Sequence, residues 1–198
     1  MRKLWLFFPV LLLSACIGTS RPARFYNLQA ENIGAYSNAA VRADIGVREV
    51  KIPDYLDKPQ IATLKSGGVE VDISELNRWS ESLSTMIQRV VADDLGYNLP
   101  KAVVKPRVSA REDFKYLLQI EIGQLDGSWN KTANLEAWWS IADASGNLLV
   151  QQKSSLSVPL GNGYDDLVRA ESRLLAELSA QIAPALSLIH ISEPTRPY

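Results

Sequence analysis

The first fifteen residues constrain this chain most, because they decide in which compartment it folds. Arg2 and Lys3 precede an apolar run over residues 4–13, and two small residues follow the run. A charged head, a short apolar middle and a small-residue end are typical of a secretory signal peptide. The run of about ten residues is too short for a membrane-spanning helix, which needs roughly 20. The sequence therefore predicts export, with residues 1–15 removed.

Cys16 follows this segment directly and is the only cysteine of the chain. The ending Leu13-Ser14-Ala15-Cys16 resembles the lipobox of bacterial lipoproteins, in which the cysteine is lipidated and becomes the mature N-terminus. One acyl chain binds a bilayer only marginally, at about 0.8 kcal/mol per buried methylene, so two or more chains make a lasting anchor. The alternative is an ordinary cleaved signal peptide with an incidental cysteine. We predict lipidation at Cys16, with residues 16–24 as a short lipidated tether.

The rest of the chain has the composition of one globular domain. Hydrophobic residues make up 46% and charged residues 22% of the sequence, which argues against wholesale disorder. The formal net charge is -1, and no basic block provides the electrostatic footprint of nucleic-acid binding. A lipidated Cys16 leaves no thiol for a disulfide bond. We therefore expect a single domain over residues 25–186, held together by packing alone.

Alternating apolar residues predict that strands make up much of this domain. Short strands are expected from Phe25, from Ile45 to Pro53, and over residues 60–64, the last at a sheet edge. A turn over residues 65–68 is expected to join residues 60–64 to a second arm over residues 69–73. Three longer strands predict an antiparallel meander; they cover residues 116–122, 132–143 and 148–158.

Two amphipathic helices complete the predicted elements. The first is expected to begin with an N-cap at Ser74 and to end at Gly96. The second is expected over residues 165–183, followed by Pro184 as a stop. Strands in this number together with two helices predict an α+β domain.

The last residues, 187–198, continue no apolar pattern. They include the run Leu-Ile-His-Ile-Ser-Glu-Pro-Thr-Arg-Pro-Tyr, which resembles a peptide produced when sequencing-adapter DNA is translated in frame. We predict that this tail is not native and leave it out of the fold prediction.

The chain carries few groups suited to catalysis. Its one histidine, His190, falls in that tail, and without it no Ser–His or Cys–His nucleophile pair and no His/Cys zinc site can be drawn. Paired carboxylates could perform acid–base chemistry. Their plainer interpretations are a solvated helix end for Asp93-Asp94, a turn for Asp54 and Asp57, and a helix-dipole partner for Asp165-Asp166. We expect no enzyme, no cofactor and no metal.

Trp138 and Trp139 are neighbours on one predicted strand, so their side chains should point to opposite faces. Alternation with Ile141 assigns Trp139 to the core and turns Trp138 outward. An outward tryptophan either packs under a loop or marks a contact surface, since aromatic residues are enriched at interfaces.

A family resemblance rests mainly on the stretch bounded by two prolines. Ile45-Gly46-Val47, Val50 and the run Ile52-Pro53-Asp54-Tyr55-Leu56-Asp57-Lys58-Pro59-Gln60-Ile61 resemble the signature of the PqiC-like family. These proteins are auxiliary lipoproteins of ABC-type and MCE-type transport systems. Supporting matches are Phe25-Tyr26-x-Leu28, Arg78-Trp79-x-Glu81-x-Leu83, Leu125-Asp126-Gly127, and Trp139 followed by Asp143 and Gly146. The chain departs from the family pattern at Lys58 and at Thr63-Leu64-Lys65.

This resemblance implies an outer-membrane lipoprotein that faces the periplasm. Its implied partner is a membrane-anchored, MCE-family (PqiB-like) protein that moves phospholipid between membranes. The implied fold is a mixed, largely antiparallel sheet with two amphipathic helices packed on one face, akin to the N-terminal domain of TolB. The resemblance is also compatible with homo-oligomers and with direct contact between the domain and phospholipid. Ile17, in place of an acidic residue after the cysteine, fits outer-membrane sorting.

The proline-bounded stretch is our candidate for a partner-binding site. The candidate residues are Tyr55, Leu56, Asp57, Pro59 and Gln60, with Trp138 as a further contact. Two prolines hold the stretch in shape before binding, so little ordering entropy would be lost on docking. The alternative is that it only closes a sheet edge, with Tyr55 and Leu56 packed inward.

Three functions remain open from the sequence. The leading hypothesis is a non-enzymatic auxiliary or docking subunit of an MCE/ABC-type lipid transport system. The second is a general envelope-assembly or scaffolding lipoprotein without a transport role. The third is an Asp/Glu-dependent hydrolase acting on lipid or glycan, which would need an apolar pocket holding a carboxylate of raised pKa.

Overall fold

A computed structural model describes residues 21–65, 69–106 and 113–192, with Ser192 described by its backbone alone. The predicted signal peptide, Cys16 and most of the tether lie outside these residues. So do the centre of the predicted turn, residues 66–68, and residues 193–198 of the predicted tail.

Within these ranges the chain forms eight strands and two helices. They are β1 (Arg24–Tyr26), β2 (Asp44–Val47), β3 (Gln60–Leu64), β4 (Val71–Trp79), α1 (Leu83–Asn98), β5 (Val103–Pro106), β6 (Tyr116–Gly127), β7 (Thr132–Asp143), β8 (Leu148–Pro159) and α2 (Tyr164–Ser192).

The strands are divided between two sheets. The larger sheet has the order β5-β2-β6-β7-β8, with β2 parallel to both of its neighbours and β6, β7 and β8 antiparallel. The smaller sheet has the order β1-β4-β3, so β3 lies at an edge as predicted. The predicted α+β class and the antiparallel meander are confirmed.

The core lies between the larger sheet and the two helices. The predicted inward side chains of β7 are all buried: Ala133, Leu135, Ala137, Trp139 and Ile141. From α1, Gln88 donates a hydrogen bond to the Val47 carbonyl at 2.8 Å. From α2, Gln181 accepts one from Ser154 at 2.7 Å. Buried side chains of both helices and of the larger sheet form one hydrophobic core, so both helices cover the same face of the sheet, as the family resemblance implies.

The predicted start of the first helix at Ser74 is wrong. Ser74 does accept a hydrogen bond from the Asn77 backbone N–H at 3.0 Å, which is the bond an N-cap makes. Here it belongs to an irregularity in β4, whose register with β3 shifts at this point. The helix begins at Leu83 and continues through Gly96 to Asn98, so the predicted stop at Gly96 is wrong as well.

Other predicted ends also differ from the structure. The strand predicted from Ile45 to Pro53 ends at Val47. Strand β6 does not stop at residue 122 but continues to Gly127, past a register irregularity between Ile122 and Gln124. Helix α2 continues through Pro184 to Ser192.

Packing explains why Pro184 does not end α2. Proline removes one helical hydrogen bond, but the next turn places Leu186 fully in the core. The Tyr36 hydroxyl also hydrogen-bonds Ser187 Oγ at 2.7 Å. By length and composition alone α2 could cross a membrane, yet half of its most apolar stretch is buried inside the domain. That burial is typical of a core helix.

Candidate functional site

The proline segment, residues 53–60, forms a turn that leads from the continuation of β2 into β3. The Leu56 and Asp57 backbone N–H groups both donate to the Pro53 carbonyl, at 2.9 and 3.1 Å. The Lys58 N–H donates to the Leu56 carbonyl at 2.8 Å. The segment's own backbone hydrogen bonds therefore define its shape.

Its side chains divide into an inward and an outward set. Leu56 is buried, and Tyr55 packs half-buried against the core. Asp57 and Pro59 are exposed, and Gln60 is partly exposed at the start of β3. In this arrangement the inward residues anchor the segment, and the outward ones can meet a partner.

The end of β4 holds the other side of the segment. The Trp79 backbone N–H donates to the Pro59 carbonyl at 2.7 Å, while the Trp79 side chain is buried. This bond places the segment beside the connection into α1. Part of the predicted family pattern, Arg78 to Leu83, thus lies against the proline signature itself.

Two grooves flank the segment and share Asp57. The groove toward α1 has a volume of about 380 Å³ and is lined by Asp57, Lys58, Pro59, Trp79, Ser80, Glu81, Ser82 and Leu83. The groove toward the β2 continuation has a volume of about 580 Å³ and is lined by Arg48, Glu49, Val50, Lys51, Ile52, Asp57, Ser84 and Gln119. The outward side of the segment is therefore a ridge between two concave surfaces.

Two buried acidic residues lie beneath the segment. The Tyr55 hydroxyl donates to Asp126 Oδ2 at 3.4 Å, and Gln124 donates to Asp126 Oδ1 at 2.9 Å. Burial raises the pKa of Asp126. Burial, followed by the charge of Asp126, raises the pKa of Glu171 in α2 well above its usual value. Burial and Asp126 raise the pKa of Tyr55 to about 12, so its hydroxyl keeps its proton at neutral pH.

Sequence reasoning missed this acidic pair. Asp126 lies beyond the predicted strand end at residue 122, but it is a buried residue within β6. Glu171 interrupts the apolar stripe of α2, since it lies four residues after Leu167 and three before Leu174. An acid on the core face of a helix is the signal that could have revealed Glu171.

A third acidic residue corrects a prediction. Asp93 is exposed, but Asp94 is buried, so the interpretation of this pair as a solvated helix end is wrong for Asp94. Asp94 Oδ1 accepts the Glu31 backbone N–H at 2.7 Å and so ties a loop to α1. Burial raises the pKa of Asp94 to about 7.

The other carboxylate pairs lie as predicted. Asp54 and Asp57 are exposed in the turn. Asp165 and Asp166 lie in the first turn of α2, where Asp166 accepts the Asn162 backbone N–H at 3.1 Å.

The two adjacent tryptophans face opposite sides of β7. Trp139 is buried, and its Nε1 donates to Ser154 Oγ at 3.0 Å. Trp138 is 51% exposed on the outer face of the larger sheet. Its cross-strand neighbours are Glu121 and Lys153, not residues of the proline segment. The candidate contacts therefore fall on two separate places of the surface.

In the described ranges, no group of three or more His, Cys, Asp or Glu residues is arranged to hold a metal ion. The carboxyl groups of raised pKa, on Asp94, Asp126 and Glu171, line neither of the grooves beside the segment. These acids therefore lie apart from the two grooves that flank the proline segment.

A known protein family matches most of the described domain. Residues 26–183 match the family of ABC-type transport auxiliary lipoprotein components. The chain belongs to this family. Membership indicates an auxiliary role in ABC-type transport for this lipoprotein, which suggests a membrane-anchored place in the cell envelope. It also confirms the resemblance drawn from the proline signature.

Two solved structures share the auxiliary lipoprotein's fold. A protein described only as uncharacterized has 21% identity and a TM-score of 0.69, with 83% of this chain and 98% of that chain covered. Protein XCC0632 from Xanthomonas campestris has 14% identity and a TM-score of 0.67, with 85% and 95% covered. At these identities the likeness shows the fold alone. No curated protein sequence matches significantly.

Other residues of the lipoprotein's family pattern have structural roles. Asp143 Oδ1 accepts the Asn147 backbone N–H at 2.9 Å in the β7–β8 turn, where Gly146 has a φ of 88°. That backbone conformation favours glycine. At Gly127, an added Cβ would come within 2.5 Å of the Leu160 side chain.

Proposed function

We propose that this auxiliary lipoprotein is a non-enzymatic docking subunit of an MCE/ABC-type system that moves phospholipid between membranes. In this proposal, lipid on Cys16 anchors it to the outer membrane, with the domain facing the periplasm. The observation that carries the proposal is the arrangement of side chains in the proline segment. Leu56 and Tyr55 anchor it from within, while Asp57 and Pro59 project outward.

A preformed binding surface favours docking. Backbone hydrogen bonds to the Pro53 and Leu56 carbonyls shape the segment, and the Trp79 N–H holds its far end. A partner would therefore lose little free energy in ordering it. The grooves on both sides of Asp57 offer concave surfaces for partner side chains.

Trp138 supports a second contact area. It stands exposed among polar neighbours, with Glu136 and Lys153 joined by an ion pair of 2.8 Å on the same part of the sheet. Tryptophan is among the residues that contribute most to binding free energy at interfaces. We assign it a contact with the partner or with a neighbouring protein of the transport complex.

The burial of the acidic residues favours docking over hydrolysis. A hydrolase of the kind considered from sequence would place a carboxylate of raised pKa in an open apolar pocket. Here Asp126 and Glu171 are buried between β6 and α2, and Asp94 bonds a loop. Neither groove beside the proline segment contains them.

Co-purification from envelope extracts tests the proposal. The full-length lipidated chain should recover an MCE-family protein. We expect Asp57→Ala and Pro59→Ala each to weaken recovery about tenfold, which corresponds to about 1.4 kcal/mol of binding free energy. Matched controls are Asp93→Ala and Pro100→Ala, since both residues are exposed at the far end of α1.

Two results would contradict the proposal. Equal recovery with all four variants would make the proline segment a structural element only. Recovery of envelope-assembly proteins without any transport component would favour the scaffolding alternative.

A further inference from the structure

Large apolar side chains are exposed together on the smaller sheet. Phe25 is 67% exposed, Ile73 41%, Val71 38% and Leu76 37%. These four residues are called the apolar sheet face below. Contiguous exposed apolar surface of this kind marks an interaction site in a soluble domain.

Strand pairing places these residues on one side of the sheet. Ile73 pairs with Ala62 and Arg78 with Gln60, two residues apart on β3, so Ile73 and Arg78 share a face. Phe25 lies opposite Arg78 across the β1–β4 pair. Val71 and Leu76 lie two residues from Ile73 and Arg78, respectively. The inward face of the same sheet carries Tyr26 and the buried Trp79.

The tether ends at this face. Strand β1 begins at Arg24, eight residues after Cys16, and Phe25 follows at once. Eight residues span at most about 29 Å when fully extended. A lipid on Cys16 would thus hold Phe25, on the apolar sheet face, within about 30 Å of the bilayer surface.

One arginine side chain lies on this surface. Arg24 points to the other side of the sheet, where its guanidinium lies over the Tyr26 ring and pairs with Asp165 at 3.1 Å. Arg78 lies on the apolar sheet face opposite Phe25. Arginines beside exposed apolar residues suit a lipid surface, because their stems cover apolar groups while their heads meet phosphates.

We propose that the apolar sheet face lies on the phospholipid surface of the membrane that holds the Cys16 lipid. The inference rests on the anchor in the proposed function and is independent of the MCE partner. It assigns the two surfaces different roles: the apolar sheet face contacts lipid, and the proline segment is left free for protein.

Site-specific fluorescence tests this orientation. Because Cys16 is the only cysteine and would be modified, an introduced cysteine is the only free thiol. The lipidated chain with Ile73→Cys is labelled with nitrobenzoxadiazole and placed in phosphatidylethanolamine–phosphatidylglycerol vesicles that carry a headgroup nitroxide. We expect lipid quenching at residue 73 and little at the matched position in Gln151→Cys, an exposed residue of β8. Phe25→Ser with Leu76→Ser should reduce the quenching while flotation with the vesicles persists.

The other outcomes overturn the inference in distinguishable ways. Equal quenching at residues 73 and 151 would mean that no face is preferred. A label at residue 73 that is shielded from iodide but not quenched by lipid would mean that another protein or a second copy covers the face. Failure to float would contradict the anchor itself. Val71→Cys provides a second label on the same face if Ile73→Cys folds poorly.

Discussion

The Tyr55 hydroxyl donates to Oδ2 of Asp126 at 3.4 Å, joining residues 71 positions apart in the sequence. This bond links the proline segment to the buried end of β6. Glu171 of α2 adds a second acidic group to the same buried region. The position of the exposed residue Asp57 therefore depends on polar contacts inside the core as well as on the segment's own backbone.

Removal of the Tyr55 hydroxyl should weaken this link. Tyr55→Phe leaves the aromatic ring in place but removes one of the two hydrogen bonds to Asp126, so we expect a loss of about 0.5–1.5 kcal/mol in the free energy of unfolding. Urea denaturation followed by circular dichroism measures it. Tyr97→Phe, at an exposed position of α1, is the matched control and should change little. Equal stability of the two variants would show that the Tyr55–Asp126 bond contributes nothing.

Glu171 should make the domain less stable at higher pH. Its pKa is raised in the folded state, so its contribution to stability is fully present below the ordinary value of 4.5 and is lost as pH rises through the folded pKa. Glu171→Gln cannot lose a proton. We expect this variant to be more stable than the wild type at pH 8, with the difference shrinking as the pH falls toward 4.5.

Thermal unfolding at a series of pH values checks this expectation. Glu177→Gln on the same helix is the control, because Glu177 forms only a surface ion pair with Arg173 at 3.1 Å. A Glu171→Gln profile parallel to the wild type would contradict the assignment.

Asp94 should add its own pH dependence over a defined range. Burial raises its pKa from 3.8 to about 7, so stability should decline as pH rises between these values. Asp94→Asn keeps an acceptor for the Glu31 N–H but removes the ionisation. The variant should match the wild type near pH 4 and exceed it at pH 8, whereas Asp93→Asn should not. Loss of stability in Asp94→Asn at pH 8 would show that the charged form is the one the fold requires.

Substitutions of the two adjacent tryptophans should affect different properties, folding stability at Trp139 and partner binding at Trp138. Trp139→Ala removes a buried side chain and should cost about 3–5 kcal/mol in the free energy of unfolding. Trp138→Ala should cost about 1 kcal/mol or less, because Trp138 is half exposed. Denaturation and partner recovery are measured on both. A stable Trp138→Ala protein with undiminished partner recovery would remove Trp138 from the proposed contacts.

Elements with one buried face were the easiest to predict from sequence. Strand β7 occupies residues 132–143 as predicted, because every second side chain from Ala133 to Ile141 is buried. The same period located most of β6 and β8. A strand buried on one side has one allowed register, and the alternation of apolar residues in its sequence indicates that register.

The start of α1 could not be predicted in the same way. Leu76 and Trp79 are three residues apart, which suits a helix stripe, but Leu76 is exposed and Trp79 is buried in a strand. The Ser74–Asn77 hydrogen bond is locally identical to a helix cap. Only pairing with β1 and β3 distinguishes the two structures, and pairing between distant strands is not visible in a local pattern.

The candidate site was only partly predictable for a related reason. Two prolines and the family pattern located the segment, and the inward position of Leu56 was one of the alternatives. The support from Asp126 and Glu171 comes from distant parts of the chain, β6 and α2. No local spacing shows that these acids meet beneath Tyr55. Pro184 is a similar case, because the burial of Leu186 decides against the local stop signal.

Crosslinking in living cells tests the central claim, docking through the proline segment, most directly. A photoreactive amino acid replaces Asp57 in one strain and the exposed Asp93 in another, and crosslinked partners are identified by mass spectrometry after irradiation. We predict that position 57 captures an MCE-family protein and that position 93 does not. Capture of no transport component from position 57, or the same proteins from both positions, would contradict the docking account.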